Sequence, residues 1–554
     1  MIKKVIFLLI TSALILSFQT ACSSETHDIE EAVSSLSTDE LINDVKILGS
    51  DEFEGRFPAS PGEEKTVNFL KEEFEKAGLN PGNGESFFQE VPLVEITPAS
   101  VTNLIVTGGT KPLEFTYEED FVAVTLRVQE NVAIEDSEMV FVGYGIVAPE
   151  HQWNDYEGID VKGKTVVMLV NDPGFATGDP ELFNGRSMTY YGRWTYKYEE
   201  AARQGAACAV IIHETEPAAY GWDVVQNGWT GPNFSLASED GNAARCAVES
   251  WVTLESARAV FKAAGEDYEE LKKRAEEPGF KPLPLALKAS MGMENKTRKA
   301  LSRNVIGLLP GSDLKDEYII YTAHWDHFGK NPKLEGDQIF NGALDNATGT
   351  AALIELAEAF QKLDPPPRRS LLFLAVTAEE QGLLGSEYYA VNPIYPLTKT
   401  AAVINMDSLN IYGRMKDIRV VGYGQSELDD YVEAYAEEEG RIVLPDPTPE
   451  KGSFYRSDHF PFAKQGVPAL NAGSGVQHVE KGEDWGLAQK EKYIREKYHK
   501  PSDEFDSSWD LSGLADDLHM YFTLGYRLSM TSDFPEWKEG SEFKLIREQS
   551  MQNR

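Results

Sequence analysis

Between residues 317 and 407 the chain places His324, Asp326, Asp345, Glu379, Glu380 and Asp407. Imidazole and carboxylate are the donors that hard and borderline divalent cations take, so the series reads as ligands for a pair of them. Glu379 and Glu380 follow the apolar run LLFLAVTA. Two adjacent carboxylates there repel one another unless something positive offsets them. A metal held by one leaves the other free to handle a proton. Asp407 repeats the arrangement directly after AAVINM. His324 and Asp326 form His-x-Asp, in which the carboxylate can fix the imidazole tautomer. Asp345 lies in NGALDNATG, a loop ahead of a helix, where a carboxylate can also serve as a helix cap. Each residue alone has an ordinary structural reading; the ordered series is harder to obtain by chance. Asp345, Glu380, Asp407 and a bridging hydroxide supply four negative charges, the balance for two divalent cations. Zinc suits this donor set, and manganese or cobalt can occupy it.

Such residues need strand ends to hold them. IIYTAH, LLFLAV and AAVINM read as buried strands, and GTAALIELAEAF and GLLGSEYYA as the helices between them. A further helix is predicted near 427–439. The alternation predicts an α/β fold: a mixed, largely parallel sheet with helices on both faces. Its binding crevice lies beyond the carboxyl ends of the strands, where His324, Glu379, Glu380 and Asp407 fall. Upstream, residues 25–37 read as a polar tether, and Val67, Phe69, Leu70, Phe74 and Leu79 mark an amphipathic helix ending near Gly78 and Pro81. From about residue 130 the texture changes. EMVFVGYGIV, KGKTVVMLVND, GAACAVIIHE and VESWVTLES are β-rich runs between aromatic, glycine-rich loops, closed by a helix around 255–276. This predicts an inserted domain over 128–285, with the main domain in 30–127 and 286–540. His151 and His213 are isolated within the insert and read as structural.

At 554 residues the chain is too long for one ordinary core. Its 52 basic and 90 acidic residues give a net charge of −38, which argues against a nucleic-acid partner. The N-terminus, MIKKVIFLLITSALILSFQTACSS, has a basic start, an apolar run too short to span a membrane comfortably, and small residues before Cys22. Residues 1–22 read as an export signal. The cysteine after Ala21 resembles a bacterial lipobox, although Gln19 stands where leucine is usual. The expectation is a cell-envelope protein anchored through a lipid on Cys22, facing the periplasm or the surface, with ordinary secretion as the alternative. Cys208 and Cys246 can form a disulfide in such a compartment or remain small buried hydrophobes.

HWDH, NGALDNATG, TAEEQGLLGSEYY and NMDS together resemble the co-catalytic di-zinc exopeptidases of metallopeptidase family twenty-eight. That group includes bacterial leucyl aminopeptidases, aminopeptidase Y and glutamate carboxypeptidase. The likeness extends to SDEFEGRFPASPGEE, FYRSDHFPFAKQGVPAL and YHKPSDEFD. The insert, with VFVGYGIVAPEHQWNDYEGIDVKGKTVVML, resembles a protease-associated domain. The resemblance implies a zinc exopeptidase fold and two zinc ions, with His324 and Asp407 on one, Glu380 and His499 on the other, and Asp345 bridging. It also implies that Asp326 orients His324 and that Glu379 is the general base. His478 is the alternative to His499, whose context, Tyr498-His499 followed by Pro-Ser-Asp, matches the family pattern. Ser457, Asp458 and His459 match a segment near the substrate pocket, or serve as a structural loop. The implied activity is removal of N-terminal residues from peptides. A carboxypeptidase or dipeptidase of the glutamate carboxypeptidase type is the alternative, with Arg414 and Arg456 as candidate carboxylate anchors. A glutaminyl cyclase and a non-catalytic binding protein on the same scaffold are more distant readings.

Overall fold

The computed structural model describes residues 29–552, so the signal segment and Cys22 lie outside the described residues. The chain forms two compact units. Among the described residues, the first comprises 29–90, 303–445 and 457–552, and the second 91–302 and 446–456.

In the first unit the sheet strands are β1 (Asn80–Pro81), the end of β2 (Leu283–Leu309), β3 (Leu314–His324), β4 (Arg369–Val376), β5 (Thr400–Asn405), β6 (Asp417–Val421), β7 (Ile442–Pro445) and β8 (Ala469–Ser474). Their spatial order is β1-β2-β4-β3-β5-β8-β6-β7. The central four, β4-β3-β5-β8, are parallel, with Ile320 level with Leu372 on one side and Val403 on the other. Antiparallel pairs flank them: Val305 lies beside Ala375, and Ile418 beside Ser474. The sheet is therefore mixed and largely parallel at its centre, as the alternation of apolar runs and helices predicts.

Side chains alternate across β3. Ile319, Tyr321 and Ala323 enter one apolar core together with α1 (Thr38–Leu48), α2 (Pro61–Lys76), α3 (Thr348–Gln361) and α8 (Ser512–Met530). The other face meets α4 (Leu384–Val391) and α6 (His459–Lys464), whose Tyr389 and Phe462 rings lie 5.8 Å apart. Further helices of this unit are α5 (Leu428–Glu438), α7 (Glu483–Glu496) and α9 (Lys544–Met551). Helix α2 starts where the sequence says it should: Pro61 opens its first turn, and the Ser60 hydroxyl accepts from the Gly62 and Glu63 amides. The expected tether at 25–37 differs. Residues 29–34 are helical, Ala32 is buried, and Ile29, Val33 and Leu36 pack against the core. Four apolar side chains at helical spacing outweigh the polar residues between them.

The second unit has a parallel core of its own, Met139–Phe141, Thr165–Leu169, Cys208–Ile212 and Val248–Val252, with Phe121–Val124 antiparallel at its side. Val167, Leu169, Val210 and Ile212 face one apolar cluster; Val166, Met168, Ala209 and Ile211 face another. The β-rich expectation is incomplete, since helices Trp194–Arg203, Trp222–Trp229, Leu254–Ala264 and Tyr268–Ala275 accompany these strands. The predicted closing helix is two helices, broken after Gly265 takes a left-handed conformation. Cys208 and Cys246 are both buried free thiols. The chain divides at 91 and 302 where the sequence suggests 128 and 285. The reason is continuity: strand Phe88–Val101 and β2 run unbroken through the divisions, so composition marks neither. Segment 446–456, which carries no sequence signal, also belongs to this unit.

Candidate metal centre

The parallel strands deliver the polar series to one edge. His324 is the last residue of β3, level with Val376 at the end of β4. Glu379 and Glu380 follow β4 by three and four residues, and Asp407 follows β5 by two. Asp345 comes from the irregular turn Ala343–Ala347 that opens α3. Gly342 permits that turn. Its φ is 54°, and a β-carbon would stand 2.3 Å from the Asp345 carbonyl oxygen and 2.6 Å from the His327 ring.

Asp345 lies between two histidines. Its Oδ1 is 3.3 Å from His324 Nε2 and its Oδ2 is 3.4 Å from His499 Nε2. His324 Nε2 also lies 3.6 Å from Asp407 Oδ1, and His499 Nε2 lies 3.2 Å from Glu380 Oε2. His324 Nδ1 is 3.2 Å from the main-chain oxygen of Asp326 and 3.9 Å from its Oδ1, so the carbonyl is the nearer acceptor. The Asp326 carboxylate instead accepts from the Glu379 amide at 3.0 Å, tying the end of β3 to the end of β4. Ser457 Oγ donates to Asp407 Oδ2 at 2.7 Å and accepts from Asn405 Nδ2. Asp458 accepts from Ser386, and Ser457, Asp458 and His459 are all buried. His478 is elsewhere: its Nδ1 accepts from the Glu480 and Lys481 amides in a turn, and its ring meets Trp485.

The carboxyls crowd one another in buried surroundings. Burial first, then Asp458, Asp407 and Asp345, hold the Glu379 carboxyl well above the ordinary carboxylate range, against the pull of His324. Burial, Asp345 and Glu379 do the same to Glu380. Asp345 is the exception. Burial opposes its ionisation, but His324 and His499 pull it far below the usual range. Buried His324 Nε2 and Glu380 Oε1 make no hydrogen bond to any described residue. Ligand-type atoms of His324, Asp345 and Asp407 lie within 4.8 Å of one another, as do those of His327, Asp345 and Glu380, and those of His324, Glu379 and Glu380. Orphaned donors and acceptors among clustered carboxylates and imidazoles fit divalent cations.

Three residues escape sequence reasoning. His327 Nδ1 lies 2.6 Å from Glu380 Oε1, and burial pulls its pKa down to about 3. It stands in HWDH, but a histidine three places beyond a stronger candidate carries no signal of its own. Asp503 accepts from the Leu344 and Asp345 amides and from the Tyr493 hydroxyl. Arg56 is fully buried beneath the cluster. Its guanidinium donates to the carbonyls of Leu48, Trp325, Asn341 and Gly342, and its own carbonyl accepts from the His327 amide. Burial lowers Arg56 to about 10, while Asp326, Asp503, Asp345 and Glu380 favour its charge. One side chain therefore joins the loop after β3 to the loop before α3. The left-handed run Glu54-Gly55-Arg56 turns it inward.

A parallel-centred sheet that gathers carboxylates and imidazoles at its strand ends defines a candidate metal centre. Residues 304–523 match the family described as Peptidase family M28. Among curated proteins, the chain is 27% identical over 207 residues to aminopeptidase YwaD of Bacillus subtilis, covering 37% of this chain and 40% of that protein. It is 30% identical over 203 residues to a glutamate carboxypeptidase 2 homolog of Caenorhabditis elegans, covering 35% and 24%. It is 32% identical over 138 residues to aminopeptidase NAALADL1 of Mus musculus, covering 24% and 17%. The chain thus spans well under two thirds of the length of these relatives. Among solved structures, an aminopeptidase from Aneurinibacillus sp. strain AM-1 aligns with a TM-score of 0.49 at 19% identity, covering 91% of this chain and 97% of that one.

Proposed function

We infer that the protein is a zinc metallo-exopeptidase that hydrolyses N-terminal peptide bonds. The observation that carries this reading is Asp345 set between His324 and His499, with Asp407 and Glu380 completing a ligand set on either side. His324, Asp345 and Asp407 would hold one zinc ion, and Asp345, Glu380 and His499 the other. When bound, two such ions polarise a peptide carbonyl and lower the pKa of water at the site. The chain's own groups do the rest. Glu379, whose carboxylate accepts no hydrogen bond from a described side chain, takes a proton from the attacking water and gives it to the departing amine nitrogen. Asp326 fixes the Glu379 backbone through its amide, so the base keeps its aim. Ser457 fixes Asp407. The names of the curated aminopeptidase relatives support the N-terminal reading.

The same proposal includes export through residues 1–22, a lipid anchor on Cys22, and a protease-associated character for the second unit. The basic-apolar-small order of the N-terminus supports the first two, and the insert's sequence resemblance the third. The deciding experiment offers matched peptides with free and acetylated N-termini to a soluble form lacking residues 1–22, with and without chelator. Chelator-sensitive cleavage of the free set alone is the expected result. Cleavage of the acetylated set would favour the carboxypeptidase reading, to which the Caenorhabditis elegans relative's name points.

A further inference from the structure

The turn that carries Asp345 has its main-chain groups divided between two charged side chains. Its carbonyls face a cation: Arg56 donates to those of Asn341 and Gly342. Its amides face an anion. The Ala343 amide donates to the main-chain oxygen of Asp503 at 2.9 Å, the Leu344 amide to Asp503 Oδ1 at 3.3 Å, and the Asp345 amide to Asp503 Oδ2 at 3.1 Å. Three consecutive N–H groups therefore end on one residue, which is itself fully buried. As the first donors of a helical turn they have no partner within it, and a carboxylate meets such converging amides in charge-assisted hydrogen bonds.

Asp503 follows His499 by four residues, and the loop between them hangs on Tyr493 near the end of α7. The Tyr493 hydroxyl donates to Asp503 Oδ2 at 3.2 Å. Its carbonyl accepts from the Lys497 and Tyr498 amides at 2.8 and 2.9 Å. The chain then turns twice, with the Lys500 amide on the Lys497 carbonyl and the Asp503 amide on the Lys500 carbonyl. The Tyr498 ring stacks on the His499 imidazole, their centroids 3.7 Å apart. His499 has φ 55°, a left-handed conformation that a histidine keeps only where its surroundings hold it. The sheet does not place this residue. His324, Glu380 and Asp407 lie at or just beyond the ends of the neighbouring parallel strands β3, β4 and β5, whose pairing fixes their spacing. Helix α7, by contrast, buries only Gly486.

We propose that Asp503 is a positioning residue that registers the Asp345 carboxylate with His499, and so sets the zinc affinity of the Glu380–His499 site in particular. The proposal rests on the two-zinc reading. The His324–Asp407 site draws two ligands from strand ends and loses little when the turn loosens. The Glu380–His499 site has one strand-end ligand; its other two, Asp345 and His499, come from segments joined through Asp503. Groups that orient a ligand in this way change metal affinity by about 10- to 100-fold. Asparagine would fill the same space, but in either orientation its amide nitrogen would face a main-chain amide that needs an acceptor.

The test withdraws zinc from the loaded full chain with a chromogenic chelator at graded concentration, so that the two affinities are read separately. H499A marks which of them belongs to the Glu380–His499 site. D503N is expected to weaken that site about 10- to 100-fold and to leave the other within about threefold. In the H499A background, D503N should change the remaining affinity by no more than that. Unchanged affinities in D503N overturn the proposal, and so does an equal loss at both sites, which is the mark of a general loosening. If D503N does not fold, Y493F decides, because it removes only the hydroxyl that Asp503 accepts from. Y493F should weaken the same site by about threefold or more. No change, or an equal loss at both sites, overturns the proposal there too. A wild type that holds fewer than two zinc ions is the failure of the two-zinc reading, and it removes this proposal with it.

Discussion

Glu379 is distinguished from its neighbour by what it lacks. Glu380 faces His327 and His499, whereas the Glu379 carboxylate is left to the reaction. Replacing Glu379 with Gln should leave the zinc content unchanged and lower kcat by about 10²- to 10⁴-fold. Metal analysis alongside steady-state kinetics checks both halves, and near-normal turnover would remove Glu379 from its role. The fifth ligand is decided in the same way. His499→Ala should reduce zinc retention, whereas His327→Ala should keep most of it. The opposite pattern would make His327 the ligand, since it is the nearer of the two to Glu380. Arg56 makes a different demand. Lysine keeps the charge but cannot reach four carbonyls, so Arg56→Lys should fold and yet bind zinc about tenfold more weakly in chelator competition. Unchanged affinity would reduce Arg56 to packing. At this scale the sequence is readable where a polar residue ends an apolar run, as with His324, Glu380 and Asp407, which belong to groups that could hold a metal ion. Arg56 and Asp503 act through main-chain groups of loops far away in sequence, and residue type alone does not announce that.

Helices α1, α2 and α3 meet across a patch of like charge. Burial first, then Glu73 and Glu358, raises Asp44 to about 7, with Lys76 opposing. Burial raises Glu355 to about 7 as well, although its Oε2 accepts from the Ser37 amide. A carboxyl whose folded pKa lies above its unfolded value of about 4 binds its proton more tightly in the folded state. Stability from this patch is therefore full at low pH and falls as pH rises from about 4 through 7. Asp44→Asn should raise Tm at pH 8 by about 2–4 °C, leave it little changed at pH 5, and flatten the profile between. Equal shifts at both pH values would assign the effect to packing. Helix α3 itself was legible because strand–helix alternation is a local, periodic signal. The break at Gly265 and the helix at 29–34 were not, because one depends on a single glycine and the other on a core supplied by distant segments.

For the molecule as a whole, the proposed placement in the cell rests on Cys22. Cys22→Ala should abolish incorporation of labelled palmitate and move the protein from the membrane fraction to the soluble one. Labelling that persists in the variant would sink the lipid anchor. Among the described residues no helix is long and apolar enough to cross a membrane. The presence of a second unit was legible from a change in texture near residue 130, but its edges were not. A strand has the same apolar alternation whichever unit it serves, so Phe88–Val101 and β2 hide both crossings.

Segment 446–456 gives that arrangement a consequence in time. The ribosome releases residues 91–302 early, yet the unit they build still lacks eleven residues, numbered 446 through 456. Those residues follow more than half of the first unit, which in turn waits for the strand Ala469–Ser474 and the helix Ser512–Met530. The second unit therefore cannot finish as residues 91–302 emerge; N-to-C synthesis completes it only at residue 456, with the last stretch of the first unit still to come. The loop that carries Arg456 is among the last pieces to arrive. A chain cut short before residue 446 would hold every strand of the second unit without its final eleven residues.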